Sequence, residues 1–249
     1  MCTLILLLRQ NAPWTLRIAA NRDEMLDRPW DPPGQHWPAQ PDVTGGRDRL
    51  AGGTWLAVNS AGVVAGVLNR TGALGPQAGR RSRGDLPLLA LREGSAAAAA
   101  AALARVDGGA YRAFNLVVAD ASGAFFLRGL GAGEVTARRL PDGLHMVTAG
   151  EPDDVAMPRI ARHRPKFDAA RPPAPPDWGD WPALLGDAAG PPEAALNVRP
   201  NHGFGTASST LIALGIGLGI ASGGQASQRA FRFAAGPPDR EAFQDVPWP

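Results

Sequence analysis

The chain predicts an α+β fold built from layered antiparallel sheets. Three observations carry this. Two apolar, strand-like runs, Thr3 to Leu8 and Trp14 to Ala20, flank the turn Gln10-Asn11-Ala12-Pro13. A long stretch from Asn115 to Thr148 reads only as short strands and turns. The helical segments fall in groups between strand blocks, and such segregated runs favour α+β over alternating βαβ units.

Taken in order, Thr3 to Leu8 and Trp14 to Ala20 form a hairpin, which brings Cys2 close to Asn21-Arg22-Asp23-Glu24 at the far end of the second strand. Residues 29–41, rich in Pro and Trp, predict an extended surface loop. Gly45-Gly46 and Gly52-Gly53 mark turns, and Thr54 to Ala57 and Val63 to Leu68 read as strands. Ser82 to Gly84 opens a helix over Leu86 to Leu91, and the alanine run Ala96 to Ala102 predicts a second helix ending near Gly108-Gly109. A β-meander follows: Asn115 to Ala119, Ala124 to Leu127, Val135 to Leu140 and Leu144 to Thr148. Asp153 or Asp154 then caps a helix running to about Phe167. Residues 171–192, dense in Pro and Gly, predict the least ordered stretch of a single domain spanning 1–249. Thr206 to Leu214 and Ala230 to Ala234 close the chain as strands.

With 249 residues, 45% of them hydrophobic, the chain can bury a large core. Its 25 basic and 23 acidic residues nearly balance, and no basic block points to nucleic acid. One cysteine makes neither an internal disulfide nor a cysteine-rich zinc site, and the four histidines show no metal-ligand spacing. The apolar run Leu4 to Leu8 is too short for a secretory signal and is stopped by Arg9. Leu211 to Ala221, interrupted by Gly215, Gly217 and Gly219, is too short to span a membrane and reads as a buried strand plus a glycine-rich loop. A cytoplasmic protein is the expectation.

The single cysteine is Cys2, directly behind Met1. If Met1 is trimmed, one residue carries both a thiol and a free α-amine. Their ordinary pKa values, about 8.5 and about 7.7–8.0, let the amine take the thiol proton near neutral pH. The tetrad Asn21-Arg22-Asp23-Glu24 lies opposite by the hairpin argument. An arginine there favours the thiolate, and an acid orients the amine.

Met1-Cys2-Thr3, Ala20-Asn21-Arg22-Asp23-Glu24, Gly45-Gly46-Arg47-Asp48, Gly52-Gly53-Thr54-Trp55, Arg81-Ser82-Arg83-Gly84 and Gly205-Thr206-Ala207-Ser208-Ser209-Thr210 occur in this order. In this the chain resembles the NRDE family, the transport-and-Golgi-organisation-2 group. That family in turn looks like the cysteine branch of the N-terminal-nucleophile (Ntn) hydrolases, which includes bile-salt hydrolases and penicillin V acylases. The resemblance implies a four-layer αββα sandwich. It also implies Cys2 as nucleophile, Arg22 and Asp23 as its assisting pair, and Asn69 as an oxyanion donor. Such a donor is worth roughly 2.7–4 kcal/mol in a hydrolase.

Two departures stand out. Arg22 and Asp23 are adjacent, so an extended strand cannot aim both at one site, and Glu24 is drawn in as a partner. The acylases also carry a second functional Asn near a mid-chain strand end, where this chain has Thr148-Ala149-Gly150-Glu151. Asn21, Glu24, Arg47, Arg83 and Ser209 complete the candidate set as substrate-binding residues, the arginines because their forks suit carboxylate or phosphate. Trp30 and Trp37 either rim an apolar pocket or pack the loop. The first functional expectation is a cysteine amidohydrolase or acyltransferase acting on an amide or thioester of a small amphipathic substrate, with no cofactor for catalysis. The second is a binding or trafficking protein for haem or an acyl-CoA-like ligand, which the family resemblance also implies.

Overall fold

The computed structural model describes residues 2–216 and 227–249. Thirteen strands and four helices are assigned among them: β1 Thr3–Leu8, β2 Trp14–Met25, β3 Trp30–Gly34, β4 Val43–Asp48, β5 Leu56–Asn59, β6 Val64–Asn69, α1 Asp85–Ala90, α2 Ala96–Leu103, β7 Phe114–Asp120, β8 Gly123–Gly129, β9 Thr136–Leu140, β10 Gly143–Val147, α3 Pro158–Ala169, α4 Trp181–Leu185, β11 Phe204–Ile216, β12 Ser227–Ala234 and β13 Gln244–Asp245. One antiparallel sheet has the order β10-β1-β2-β11-β12-β13, and the other runs β3 to β9 in sequence order.

Alternation along each strand sorts the apolar side chains into three cores. Leu4, Leu6, Leu16 and Ile18 of the first sheet meet Leu56, Val58, Val64, Val117 and Phe126 of the second. On the outer face of the second sheet, Ala65, Leu116 and Val118 pack under Leu86, Ala99 and Leu103 of α1 and α2. On the outer face of the first, Ile5, Ala19 and Leu211 pack under Ile160, Phe167, Trp181 and Leu185 of α3 and α4. The layers are therefore α, β, β, α, the order that the family resemblance implies. Ser95 caps α2 by accepting from the Ala98 N–H at 3.2 Å, a contact worth about 1 kcal/mol.

Several sequence expectations are corrected. β2 does not end at Ala20 but runs through the polar tetrad to Met25. Gly45-Gly46 lies inside β4 and makes no turn. These glycines admit close neighbours instead: a Cβ on Gly46 would stand 2.3 Å from the Trp55 indole, and one on Gly45 would stand 2.3 Å from the Ala57 Cβ. The proline-rich segment contributes β3, a short edge strand. The meander is broken at its end, because β10 leaves the second sheet and pairs with β1 in the first. α3 starts at Pro158 behind Met157, with neither Asp153 nor Asp154 as its cap. The 171–192 stretch contains α4, and Trp178, Trp181 and Leu185 are buried in the outer core. The part of the Leu211 to Ala221 reading beyond Ile216 falls outside the described residues. Among the described residues no helix is long and apolar enough to cross a membrane.

The link from β10 to α3 is pinned by His145. Its Nδ1 lies 2.7 Å from the Asp153 carboxylate and its Nε2 lies 2.9 Å from the Pro141 carbonyl. Both partners only accept, so the doubly protonated ring satisfies both. Burial lowers the His145 pKa, but the bonds to Asp153 and Pro141 outweigh it and the net shift is upward. For Asp153, burial acts upward and the His145 bond with the Met146 N–H prevails, so the net shift is downward. The signs set the window. The His145 contribution is complete below its unfolded pKa of about 6.5 and is lost as pH rises through the higher folded value. The Asp153 contribution is present above about pH 3.9 and is lost as pH falls through the lower folded value. Urea midpoints are expected to decline from pH 6 to pH 8, and to decline less in His145→Gln. Equal slopes in both proteins would refute this.

Candidate functional site

Cys2 continues β1 by one residue, and the β1–β2 register, Thr3 opposite Asn21, sets it across from Arg22. The thiol is half-buried and donates to the Asp23 carbonyl at 3.5 Å. Burial pushes the thiol pKa up and the Asp23 charge adds to this, while the Arg22 charge acts against it.

Cys2 and Arg22 share a small cavity of about 20 Å³ that opens to solvent, walled by Leu4, Trp55, Leu56, Leu68 and Thr210. Arg22 is 5% exposed, and its guanidinium stacks on the Trp55 ring at 4.4 Å. Its Nη1 is buried with no hydrogen-bond partner among the described residues. The carboxylate paired with Arg22, that of Glu24, stands 3.7 Å from Nη2. Burial therefore lowers the Arg22 pKa, against the charges of Cys2 and Glu24. Ser208, cross-strand from Arg22, also has a buried hydroxyl with no partner among the described residues.

Asp23 takes the opposite face, as an extended backbone requires. Its carboxylate accepts from Arg159 Nη1 at 2.8 Å and from Thr206 Oγ1 at 2.7 Å. Arg159, in the first turn of α3, donates from the same nitrogen to Thr3 Oγ1 at 2.8 Å. The Arg159 and Asp23 side chains are 2% and 0% exposed. A buried clamp thus ties the residue after Cys2 to the residue whose carbonyl receives its thiol. Sequence reasoning missed Arg159. Its signal was spacing: Arg159, His163 and Phe167 stand four apart on the buried face of α3.

The remaining candidates divide. Asn21 and Ser209 face the helices: Ser209 Oγ donates to Asn21 Oδ1 at 2.6 Å, and Asn21 Nδ2 donates to the Leu185 and Leu196 carbonyls at 3.0 Å each. These bonds fasten β2 to β11 and to the α4 segment, and they use the side-chain groups a ligand would need. Asn69 ends β6 opposite Phe114 but is not among the residues lining the cavity, which Gly66, Val67 and Leu68 reach. Arg47 pairs with Asp31 at 2.6 Å. Glu24 lies between Arg22 and Arg28, 3.7 Å and 3.8 Å away. Arg83 donates to the carbonyls of Ala73, Gly75 and Ala113. No Asn occupies 148–151, yet Asn115 of β7 donates to the Thr148 and Gly150 carbonyls at 2.8 Å and 2.6 Å, holding that segment beside β1. Trp30 packs edge-on against Trp55 with ring centroids 5.9 Å apart, whereas Trp37 donates to the Gly52 carbonyl.

The model of a family described as "Transport and Golgi organisation 2" matches residues 1–172. The Transport and Golgi organization protein 2 homolog of Bos taurus is 34% identical over 114 residues, which are 44% of this chain and 40% of that protein. The chain is therefore matched along less than half of that relative's length. Among solved structures, the Caenorhabditis elegans orthologue of N-acylethanolamine-hydrolyzing acid amidase is similar, with a TM-score of 0.57 and 13% identity over 84% of this chain and 92% of that one. A mutant of conjugated bile acid hydrolase from Clostridium perfringens has a TM-score of 0.51 and 8% identity, covering 100% of this chain and 97% of that one. At these identities the likeness establishes the Ntn-hydrolase-like fold alone.

Proposed function

Because the chain belongs to the transport and Golgi organisation 2 family and has an Ntn-hydrolase-like fold, we propose that it is a cysteine amidohydrolase or acyltransferase that uses Cys2 as an N-terminal nucleophile. The observation that carries this reading is one cavity holding both the Cys2 thiol and the Arg22 guanidinium, whose Nη1 has no partner among the described residues.

In this reading, removal of Met1 exposes the α-amine of Cys2, which takes the thiol proton. The thiolate, favoured by Arg22, attacks the carbonyl carbon of an amide or thioester. The tetrahedral intermediate collapses, and the departing amine or thiol receives a proton from the α-ammonium. Water, or another acceptor, then cleaves the Cys2 thioester and regenerates the thiol. The apolar wall of Leu4, Trp55, Leu56 and Leu68 suits the apolar part of a small amphipathic acyl group. Asp23 supports the site through its main-chain carbonyl and its clamp to Arg159. The position of Asn69 favours backbone N–H groups over its side chain as oxyanion donors.

One observation favours a binding role instead: burial and Asp23 together hold the thiol in its protonated form. A haem or acyl-CoA-like ligand would then be carried without turnover. Among the described residues lining the cavity, Cys2 is the one that could ligate haem iron.

Intact-mass spectrometry before and after a cysteine-directed electrophile, with Cys2→Ala as the control, separates the two. Loss of Met1 and labelling of Cys2 faster than a free cysteine near neutral pH are expected. A retained Met1, or ordinary thiol reactivity, would reject the nucleophile and leave the binding reading.

A further inference from the structure

Two arginines gather on the loop that follows the cavity-lining strand β6. β6, whose Gly66, Val67 and Leu68 line the cavity, runs out into the loop at 70–80. That loop returns at Arg83-Gly84, where the Gly84 carbonyl accepts from the Thr54 N–H at 3.0 Å, beside the Trp55 wall. Gly53 and Gly84 pack back to back: a Cβ on Gly53 would stand 2.4 Å from the Gly84 carbonyl carbon. Arg83 is thus held against the cavity wall.

Arg83 and Arg112 grip this loop together. Arg83 donates to the Ala73 and Gly75 carbonyls, and Arg112 donates to those of Gly72, Leu74, Gly75 and Pro76. Among the described residues the hydrogen-bond partners of the two forks are neutral carbonyls. Burial and the neighbouring Arg112 charge lower the Arg83 pKa, while the charges of Cys2 and Glu24 act the other way. Glu24 is shared with Arg22 and Arg28, and Asp48 is taken up by Arg28 at 2.6 Å. Glu24 and Asp48 are thus engaged by Arg22 and Arg28, and neither makes an ion pair with Arg83 or Arg112 among the described residues.

Carbonyl clamps alone do not require charge, since a neutral donor would serve them. Two like charges placed together and partly buried are a cost that an anion would offset. We propose that Arg83 and Arg112 form an anion subsite on the loop beside the Cys2 cavity, taking a carboxylate or phosphate carried by a ligand whose apolar part reaches toward the cavity. This deepens the proposed function and rests on it only in calling that ligand the substrate.

The test compares alkylation of Cys2 by iodoacetate and by iodoacetamide, which differ chiefly in charge. Relative to a free cysteine peptide, the ratio of rates is expected to favour iodoacetate by about tenfold at low salt, and to fall with added salt. In Arg112→Gln, and more fully in Arg83→Gln/Arg112→Gln, the ratio is expected to approach that of the peptide. A second arm needs no nucleophile: Cys2→Ala protein is titrated by NMR with hexanoate, hexyl phosphate and hexanamide. Binding of an anion but not of the amide, weakened in Arg112→Gln, supports the subsite, and comparing the two anions distinguishes carboxylate from phosphate. An unchanged ratio together with equal binding of all three probes would overturn it. Cys2 that resists both reagents would reject the nucleophile reading alone, since the titration still decides the subsite.

Discussion

Replacing Arg22 with Gln is expected to slow alkylation of Cys2 at neutral pH by about tenfold while leaving stability nearly unchanged. An opposite charge close to an ionisable group moves its pKa by about 1–3 units. Burial and Asp23 push the Cys2 thiol up, while the terminal ammonium, the bond to the Asp23 carbonyl and the Arg22 charge act against them. Loss of that charge shifts the pH–rate profile of alkylation to higher pH, by up to about one unit. Stability responds differently because Arg22 has no close acidic partner to lose: its Nη1 is unpartnered among the described residues and Glu24 stands 3.7 Å away. Arg22→Lys keeps the charge but gives up the fork and the stacking on Trp55, so it falls between the two. A profile that stays in place in Arg22→Gln would sink the thiolate-stabilising role. A large fall in stability would show instead that Arg22 serves mainly to hold the fold.

Local signals carried the sequence reading far where contacts are local. The β1–β2 hairpin was legible because an apolar run, a Pro-containing turn and a second apolar run suffice to define it, and β1 was bounded correctly. The extension of β2 through Asn21-Arg22-Asp23-Glu24 was not. A polar run reads as a strand end unless both faces are known to be buried, one by the cavity and one by α3 and α4. Gly45-Gly46 read as a turn because sequence does not distinguish positive φ from close approach, and the neighbour that excludes a Cβ on Gly46 is the Trp55 indole. The passage of β10 to the other sheet depends on its pairing with β1, 137 to 143 residues away by the Leu7–Leu144 to Leu4–Val147 register and so beyond any turn rule. Within the site, the adjacency of Arg22 and Asp23 correctly implied opposite faces, since side chains alternate along a strand. The motif located the strand end bearing Asn69 without saying whether its side chain reaches the cavity.

Arg159 is where a change should cost the most stability. Arg159→Met removes the guanidinium from a buried carboxylate and is expected to lower the unfolding free energy by about 3–5 kcal/mol, because the partner charge stays buried. The Asp23 side chain is fully buried, and its bond to Arg159 bridges residues 136 apart in sequence, joining the first turn of α3 to β2. The same nitrogen serves Thr3, so the loss also loosens β1 next to Cys2. Arg159→Met/Asp23→Asn removes both charges and is expected to recover part of the loss, since an absent ion pair is tolerated better than half of one. Urea unfolding of the wild type, both single variants and the double variant measures the coupling directly. Additive losses, or a cost below about 1 kcal/mol for Arg159→Met, would refute the clamp. Comparison with Arg22 completes the argument. Two arginines meet opposite faces of one strand: the one on the helix side is neutralised by Asp23 and should govern stability, while the one on the cavity side meets its acid, Glu24, only at 3.7 Å and should govern the reactivity of Cys2.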